Sequence, residues 1–158
     1  MKIIAHRGLQ NGPNKEIENH PGTIEHALAL GFDVEADAWF RDGNWYLGHD
    51  EPQYLISESF LERDKIWVHC KTPETLYAAT DRMHYFFHNE DDLTLTSKGV
   101  VWVYPGKFIG PWKRAVAVLP ETVWDGKDFE FIAKYYKGSA YAICTDFSVA
   151  FQDILEKN

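Results

Sequence analysis

The chain has 158 residues, a hydrophobic content of 45% and a formal net charge of −8 at pH 7. This length supports one sizeable hydrophobic core, and the apolar fraction excludes a disordered chain. The negative charge disfavours nucleic acid as a partner, because phosphate backbones are bound by clustered lysine and arginine. No apolar run reaches the roughly 18 residues of a membrane span, and the N-terminus lacks the apolar region of a signal peptide. We therefore expect one cytoplasmic domain that covers residues 1–158.

Strand and helix patterns alternate along the chain. Apolar runs predict strands at residues 2–5, 33–38, 65–71, 83–87, 100–104, 115–119 and 140–144. Helices are predicted from a Thr23 cap to Gly31, from a Thr72 cap over 73–80, at 127–136 and at 148–155, with a short helix or turn at 56–63. Near-continuous apolar strands separated by helices indicate a parallel sheet with both faces covered. Cys70 and Cys144 lie in such strands, so we expect reduced core thiols, with a disulfide as the alternative.

The strand at 33–38 carries two carboxylates on one face. Side chains alternate between the faces of a strand, so Glu35 and Asp37 point the same way, with Asp33 below them. Carboxylates on a buried strand repel each other and lose hydration unless a cation or a shared proton compensates. Hard divalent ions bind such oxygen ligands. The pattern therefore fits two interpretations, a metal site and a charged, solvated edge hairpin without a function.

The turn that follows this strand determines where His49 lies. A three-residue loop at 41–43, with its glycine in the left-handed conformation, pairs Phe40 with the residue after the loop and places His49 opposite Glu35. A two-residue loop at 42–43 shifts the register by one and sends His49 to the other face. We predict the three-residue loop, which brings the His49 imidazole beside the two carboxylates.

Ionisable side chains gather at the C-terminal ends of the predicted strands. They are His6, Arg7, Glu35, Asp37, His69, Lys71, His88 and Asp146. Parallel α/β sheets and barrels build their binding and catalytic sites at this edge. His88 is a candidate for contact with a bound substrate, with a solvated strand end as the alternative. The other three histidines, His20, His26 and His84, are expected at the surface.

Several short motifs together resemble one enzyme family. They are AHRG at 5–8, Glu18-Asn19 followed by Thr23, FDVEAD at 32–37, GHDEP at 48–52, HCK at 69–71 and CTDF at 144–147. In this order they resemble the glycerophosphodiester phosphodiesterase family, which belongs to a wider group with phosphatidylinositol-type phospholipases and sphingomyelinase D. The resemblance is specific over the first 52 residues and looser beyond them.

The resemblance implies a TIM-type barrel that cleaves a small phosphodiester with a divalent metal ion. By this resemblance His6 and His49 are the acid/base pair, Glu35 and Asp37 hold the metal, and Arg7 and Lys71 offset phosphate charge. His69 stands where the family has an acidic metal ligand. The expected ion is Mg²⁺ or Ca²⁺, with a transition metal as the alternative because imidazole favours softer ions.

The chain is short for such a barrel, which typically needs about 200 to 250 residues. Between Tyr85 and Val118 three predicted strands follow one another with almost no helix. We therefore expect a barrel reduced or incomplete on that side, with apolar surface that a partner such as a second copy would cover. Two functions fit these features. One is a phosphodiesterase, either hydrolytic or cyclising, and the other is an inactive module that binds a phosphate or phosphodiester.

Overall fold

The computed structural model describes residues 1–107, 113–124 and 128–157. The middle of the predicted loop at 105–114, and Lys127 at the start of a predicted helix, lie outside the described residues. The strands are β1 (Lys2–His6), β2 (Asp33–Arg41), β3 (Asn44–Leu47), β4 (Tyr54–Ile56), β5 (Ile66–Cys70), β6 (His84–Phe87), β7 (Leu93–Leu95), β8 (Val101–Val103), β9 (Ala115–Val118) and β10 (Ala142–Thr145). The helices are α1 (Pro21–Ala29), α2 (Glu58–Leu61), α3 (Pro73–Ala78), α4 (Pro120–Val123), α5 (Phe129–Tyr136) and α6 (Ser148–Lys157).

The described strands form one curled sheet whose wall is parallel. Its order is β6-β5-β2-β1-β10-β9-β8, and all neighbours in this series pair in parallel. Strand β7 lies at the far end, antiparallel to β8. At the other side β3 pairs antiparallel with β2, and β4 pairs antiparallel with β3. The fold is thus the predicted TIM-type barrel in reduced form. We call the C-terminal end of the parallel strands the upper end and the other the lower end.

The two edge strands of the curled sheet, β6 and β7, contact each other at the lower end. There the Ser97 N–H donates to the Tyr85 carbonyl over 2.8 Å, and the Tyr85 N–H donates to Ser97 Oγ over 3.0 Å. No helix lies between β6 and β8 in the structure, all of whose residues there are described. The expected loss of helices on this side is therefore confirmed for that stretch.

Alternation along the strands divides the core into an inner and an outer layer. Inward-facing side chains fill the barrel, among them Ile4, Trp67, Phe86, Trp102 and Cys144. Outward-facing side chains of β1, β2, β9 and β10 pack against α1, α5 and α6. Both cysteines are free and buried, so the reduced-thiol prediction is confirmed, and burial raises the pKa of Cys70 to about 12. Among the described helices, none has the length and apolar character that crossing a bilayer requires.

Local signals predicted one helix cap correctly and another incorrectly. The Thr75 N–H donates to Thr72 Oγ1 over 3.2 Å, so Thr72 caps α3 as predicted. Helix α1 instead begins after His20, whose ring nitrogen accepts from the Gly22 N–H over 3.0 Å. Imidazole is an uncommon cap, and Thr23 has the more usual side chain. Strands β4 and β7 and helix α4 were not predicted, because three or four residues are too few for a periodic signal.

The predicted surface position of His84 is wrong, whereas His20 and His26 are exposed as expected. His84 faces the barrel interior near its lower end, with its ring centroid 3.9 Å from that of Trp67. Its Nε2 lies 2.9 Å from Thr96 Oγ1. The parallel pairing of Trp67 with His84 sets this inward orientation, and such non-local pairing leaves no mark in a short local pattern.

Candidate active site

A cavity of about 420 Å³ opens at the upper end of the barrel. Every residue that the sequence predicted as catalytic, metal-binding or substrate-binding lines it, namely His6, Arg7, Glu35, Asp37, His49, His69, Lys71 and His88. The remaining lining residues are Asn89, Trp102, Tyr104, Pro105, Val118 and Leu119. One wall is therefore charged and the opposite wall is mainly aromatic and apolar, a division typical of pockets that orient a ligand with a few polar groups.

The Asp37 carboxylate is the centre of the charged wall, and only 1% of its side chain is exposed. Three cationic or protonatable groups surround it: Arg7 Nε at 3.1 Å, Lys71 Nζ at 3.2 Å and His69 Nδ1 at 2.9 Å. Burial alone raises the pKa of this carboxyl group, but the contacts with His69, Lys71 and Arg7 outweigh burial and hold it well below its usual range. Asp37 is therefore ionised.

Asn19 fixes the same strand from a loop that the sequence analysis left without a role in the site. Its Nδ2 donates to Asp37 Oδ2 and its Oδ1 accepts from the Asp37 N–H, each over 2.9 Å. Asn19 is fully buried with a left-handed φ of 58°, a conformation that asparagine tolerates better than most residues. The Glu18-Asn19 motif was the signal that pointed to this position.

The turn after β1 places Arg7 beside both carboxylates. Arg7 and Gly8 have φ values of 51° and 77°, so the chain reverses immediately after His6. The Arg7 N–H then donates to Glu35 Oε2 over 3.1 Å, and its guanidinium donates to Glu18 over 2.9 Å. A Cβ at Gly8 would lie 3.1 Å from the backbone nitrogen of Ile24, which explains why glycine follows this arginine.

His6 is paired with a carboxylate from the neighbouring strand. Because β1 and β10 are parallel neighbours, with Ala5 opposite Thr145, His6 and Asp146 emerge side by side. His6 Nδ1 lies 2.7 Å from Asp146 Oδ1, so Nδ1 carries a proton and donates a hydrogen bond to this carboxylate. The other ring nitrogen lies 3.9 Å from Glu35 Oε2. Burial lowers the pKa of His6, but the bond to Asp146 and the charge of Glu35 raise it overall.

Asp146 was predicted at a strand end, but its pairing with His6 was not predicted. The two residues are 140 positions apart. Only the closure of the sheet between β1 and β10 brings them together. The signal was the CTDF motif at 144–147, whose carboxylate follows the last predicted strand.

The predicted three-residue hairpin loop is wrong. Phe40 pairs with Trp45 and Arg41 with Asn44, which leaves a two-residue loop of Asp42 and Gly43. Their φ values of 51° and 77° are those of a type I′ turn, which Asp-Gly sequences favour because its twist matches that of the flanking strands.

His49 nevertheless lines the cavity, contrary to what a regular two-residue hairpin predicts. Strand β3 ends at Leu47, and Gly48 takes a φ of 152°, so His49 leaves the alternation of the strand. The Gly48 N–H donates to the Asp37 carbonyl over 3.1 Å, and the Trp39 indole donates to the Gly48 carbonyl over 2.7 Å. His49 is about one-third exposed, and its Nδ1 lies 2.8 Å from Asp50.

A group of three side chains has the composition of a metal site. Ligand atoms of Glu35, Asp37 and His69 all lie within 4.8 Å of one another. Two buried carboxylates and one imidazole fit a divalent cation, including a transition metal. Burial lowers the pKa of His69, but the bonds to Asp37 and Glu35 raise it to about 9, so a metal bound through Nδ1 must displace a proton.

His88 borders the cavity, and both of its ring nitrogens are buried and have no hydrogen-bond partner among the described residues. Its ring centroid lies 5.1 Å from that of Tyr104 and 6.5 Å from that of His69. Burial lowers the pKa of His88, and the nearby His69 and Lys71 lower it further. A ligand in the cavity would find here one nitrogen that donates and one that accepts, because a neutral imidazole offers both.

Comparison with known proteins gives a match in structure and none in sequence. No family model matches the chain, and no curated protein matches it. The crystal structure of a glycerophosphodiester phosphodiesterase from Parabacteroides distasonis ATCC 8503 is similar, with a TM-score of 0.61 and 15% sequence identity. The similarity covers 99% of this chain and 97% of that chain, so the two are of nearly equal extent. The resemblance found in the sequence motifs is thus supported over the whole chain, and this protein has the fold of that glycerophosphodiester phosphodiesterase.

Proposed function

We propose that the protein is a metal-dependent phosphodiesterase acting on a glycerophosphodiester-like or phospholipid-derived phosphodiester. The observation that carries this proposal is the convergence of two histidines, two buried carboxylates and two permanent cations on one cavity. Cleavage of a phosphodiester needs a base for the nucleophile, an acid for the leaving oxygen and positive charge for the phosphoryl oxygens. The cavity offers a residue for each requirement.

Arg7 and Lys71 supply the fixed positive charge. Their charged groups lie within 3.2 Å of Asp37, which holds both side chains in place. A phosphate that enters the cavity therefore meets cations that are already oriented, which lowers the reorganisation needed on binding. His88 and Asn89 also line the cavity, where they would contact the alcohol portion of a substrate.

Glu35, Asp37 and His69 would hold the divalent ion. When bound, such an ion withdraws charge from a phosphoryl oxygen and orients the phosphate. His69 stacks on Phe86, with ring centroids 5.0 Å apart and planes inclined by 6°, which fixes the ring beside the carboxylates. A metal ligand held in this way needs little rearrangement to bind.

His6 and His49 carry the proton transfers. The bond from His6 Nδ1 to Asp146 orients the ring so that its Nε2 faces the cavity beside Glu35. His49 comes from the segment after β3, where the Trp39 indole donates to the carbonyl of the preceding Gly48. One imidazole takes a proton from the attacking hydroxyl or water, and the other gives a proton to the leaving oxygen. Attack by water gives hydrolysis, whereas attack by a neighbouring substrate hydroxyl gives a cyclic product.

Turnover of an aryl phosphodiester, measured with Mg²⁺, Ca²⁺, Mn²⁺ or Zn²⁺ added in turn, tests the proposal. We expect release of the aryl alcohol with at least one of these metals and loss of turnover in a chelator. Glycerophosphodiesters assayed in parallel test the substrate class. Absence of turnover with every metal and substrate would reject catalysis.

A second function, an inactive module that binds a phosphate or phosphodiester, is favoured by one observation. Asp37 is already neutralised by Arg7, Lys71 and His69, so this half of the site is electrostatically compensated without a further cation. Calorimetric titration with a phosphodiester separates the two functions. Binding without turnover indicates the module, whereas turnover indicates the enzyme.

A further inference from the structure

The outer side of β6 and β7 carries an apolar surface. We call it the β6–β7 face, formed by Leu76, Tyr85, Phe87, Leu93 and Leu95. The side chain of Leu95 is 64% exposed and that of Leu93 is 44% exposed. An open groove of about 550 Å³ runs along this face and is lined by all five residues. Contiguous apolar surface of this kind is uncommon on monomers and marks interaction sites.

Elsewhere on the barrel, helices cover the outward-facing side chains of the strands. On β1, β2, β9 and β10 the outward side chains are buried against helices. Leu93 and Leu95 are also outward, because Thr94 between them pairs with the inward Trp102. Leu93 and Leu95 therefore lie on the outer side of the sheet, where the other strands pack against helices. Two aromatic and three leucine side chains provide the apolar centre of an interface, since one buried aromatic side chain removes roughly 150–250 Å² from water.

Charged residues of opposite sign flank the two ends of the face. At the upper end lie the exposed Glu90 and Asp91, and Asp91 also lines the groove. At the lower end lie the exposed Lys98 and Arg114, and the Arg114 guanidinium is next to Gly99. Along β7 the face is therefore acidic above and basic below.

We propose that a second copy of this chain binds the β6–β7 face across a two-fold axis perpendicular to β7. Such an axis sets the two copies of β7 antiparallel, so the acidic end of each copy meets the basic end of the other. An isologous contact requires this self-complementarity. A partner of one charge, such as an anionic membrane, would instead meet like charge at one end of the face. The dimer leaves the upper cavity of each copy open.

Sedimentation equilibrium tests the proposal on the whole chain. We expect twice the chain mass of 18.3 kDa for the wild type. Leu95→Glu should raise the dissociation constant by roughly 30-fold or more, as expected for a residue central to an interface. Leu55→Glu is the matched control, because Leu55 on β4 is 65% exposed but lies outside the face. This control should dimerise as the wild type does.

Exchanging the charges at Lys98 and Asp91 tests the orientation of the two copies, and this test is independent of the Leu95→Glu variant. Lys98→Glu and Asp91→Lys should each weaken the dimer by roughly fivefold, and the double variant should recover most of the loss. A wild type that stays monomeric at millimolar concentration would overturn the proposal. So would equal weakening by Leu95→Glu and Leu55→Glu. Failure of the double variant to recover would overturn the antiparallel arrangement.

Discussion

The two ends of the barrel each bury a carboxylate of β2, and their surroundings differ. At the lower end, Asp33 accepts from the Trp67 indole over 3.0 Å and pairs with the half-exposed Lys2 over 2.9 Å. At the upper end, Asp37 contacts Arg7, Lys71 and His69, and it borders an open cavity. Both carboxylates are compensated, as burial requires. Asp33 also borders a cavity, of about 540 Å³. Among the described residues, however, only Lys2 forms an ion pair with Asp33, whereas three cationic or protonatable groups contact Asp37.

This comparison separates a polar group that serves the fold from one suited to chemistry. Buried ion pairs perturb pKa values in both roles, so a perturbed group alone does not mark a site. Convergence of several such groups on a cavity is the stronger criterion. The following experiments contrast the two ends of the barrel, from the largest expected effect to the smallest.

The histidines of the upper end give the largest expected effect. His6→Ala and His49→Ala should each lower the turnover rate by roughly 10²–10⁴-fold, because each removes one proton transfer. Since both act in one step, the double variant should lose much less than the product of the single losses. The rate of the wild type should be bell-shaped in pH around the histidine range. Steady-state kinetics on an aryl phosphodiester measures these effects, and full activity of either single variant would exclude that histidine.

The position of His49 should depend on Gly48. A Cβ at Gly48 would collide with the Glu51 carbonyl oxygen, so Gly48→Ala forces the segment to shift. A displacement of about 1 Å at a catalytic group typically lowers the rate about 10²-fold. Gly43→Ala is the control, because a Cβ there meets nothing within 4 Å although its φ is also positive. Equal rates for the two variants would contradict the role assigned to Gly48.

Binding of a divalent ion should distinguish the carboxylates of the two ends. Added metal should raise the thermal unfolding midpoint of the wild type, because a ligand that binds the folded state stabilises it. Glu35→Gln should abolish this increase, since it removes a charged ligand. Asp33→Asn should lower the midpoint but keep the increase. Calorimetric melting with and without metal measures both, and an increase that survives in Glu35→Gln would place the ion elsewhere.

His84 at the lower end should make stability depend on pH without affecting the site. Burial, and then the charge of Lys98, lower its pKa from 6.5 to about 4 in the folded protein. The unfolded chain therefore binds the proton more readily, and stability present above pH 6.5 is lost as the pH falls towards 4. The loss of stability attributable to His84 between pH 7 and pH 4 is on the order of 3 kcal/mol, at about 1.4 kcal/mol per pKa unit.

Urea unfolding of the wild type and His84→Gln between pH 7 and 4 measures this contribution. The variant should be less stable at pH 7, because Thr96 loses its imidazole partner, but its stability should fall less as the pH decreases. Parallel slopes for the two proteins would show that another group is responsible.

The sequence by itself determined the features that depend on local periodicity. Alternation placed Glu35 with Asp37 and His69 with Lys71 on common faces, and the strand ends predicted the mouth of the barrel. The lack of helices before β8 was also visible, because it follows from the length of chain between apolar runs. Each of these features depends only on residues that are close together in the sequence.

Tertiary structure decided the features that depend on which distant segments pair. Closure of β1 against β10 joined His6 to Asp146, and pairing with β5 turned His84 inward. His49 reached the cavity through a bend at Gly48, which donates a hydrogen bond to the Asp37 carbonyl and accepts one from the Trp39 indole. A one-residue change of register reverses every side chain of a strand, and the local sequence did not exclude the wrong register. The packing of the whole sheet therefore selected the geometry of the site.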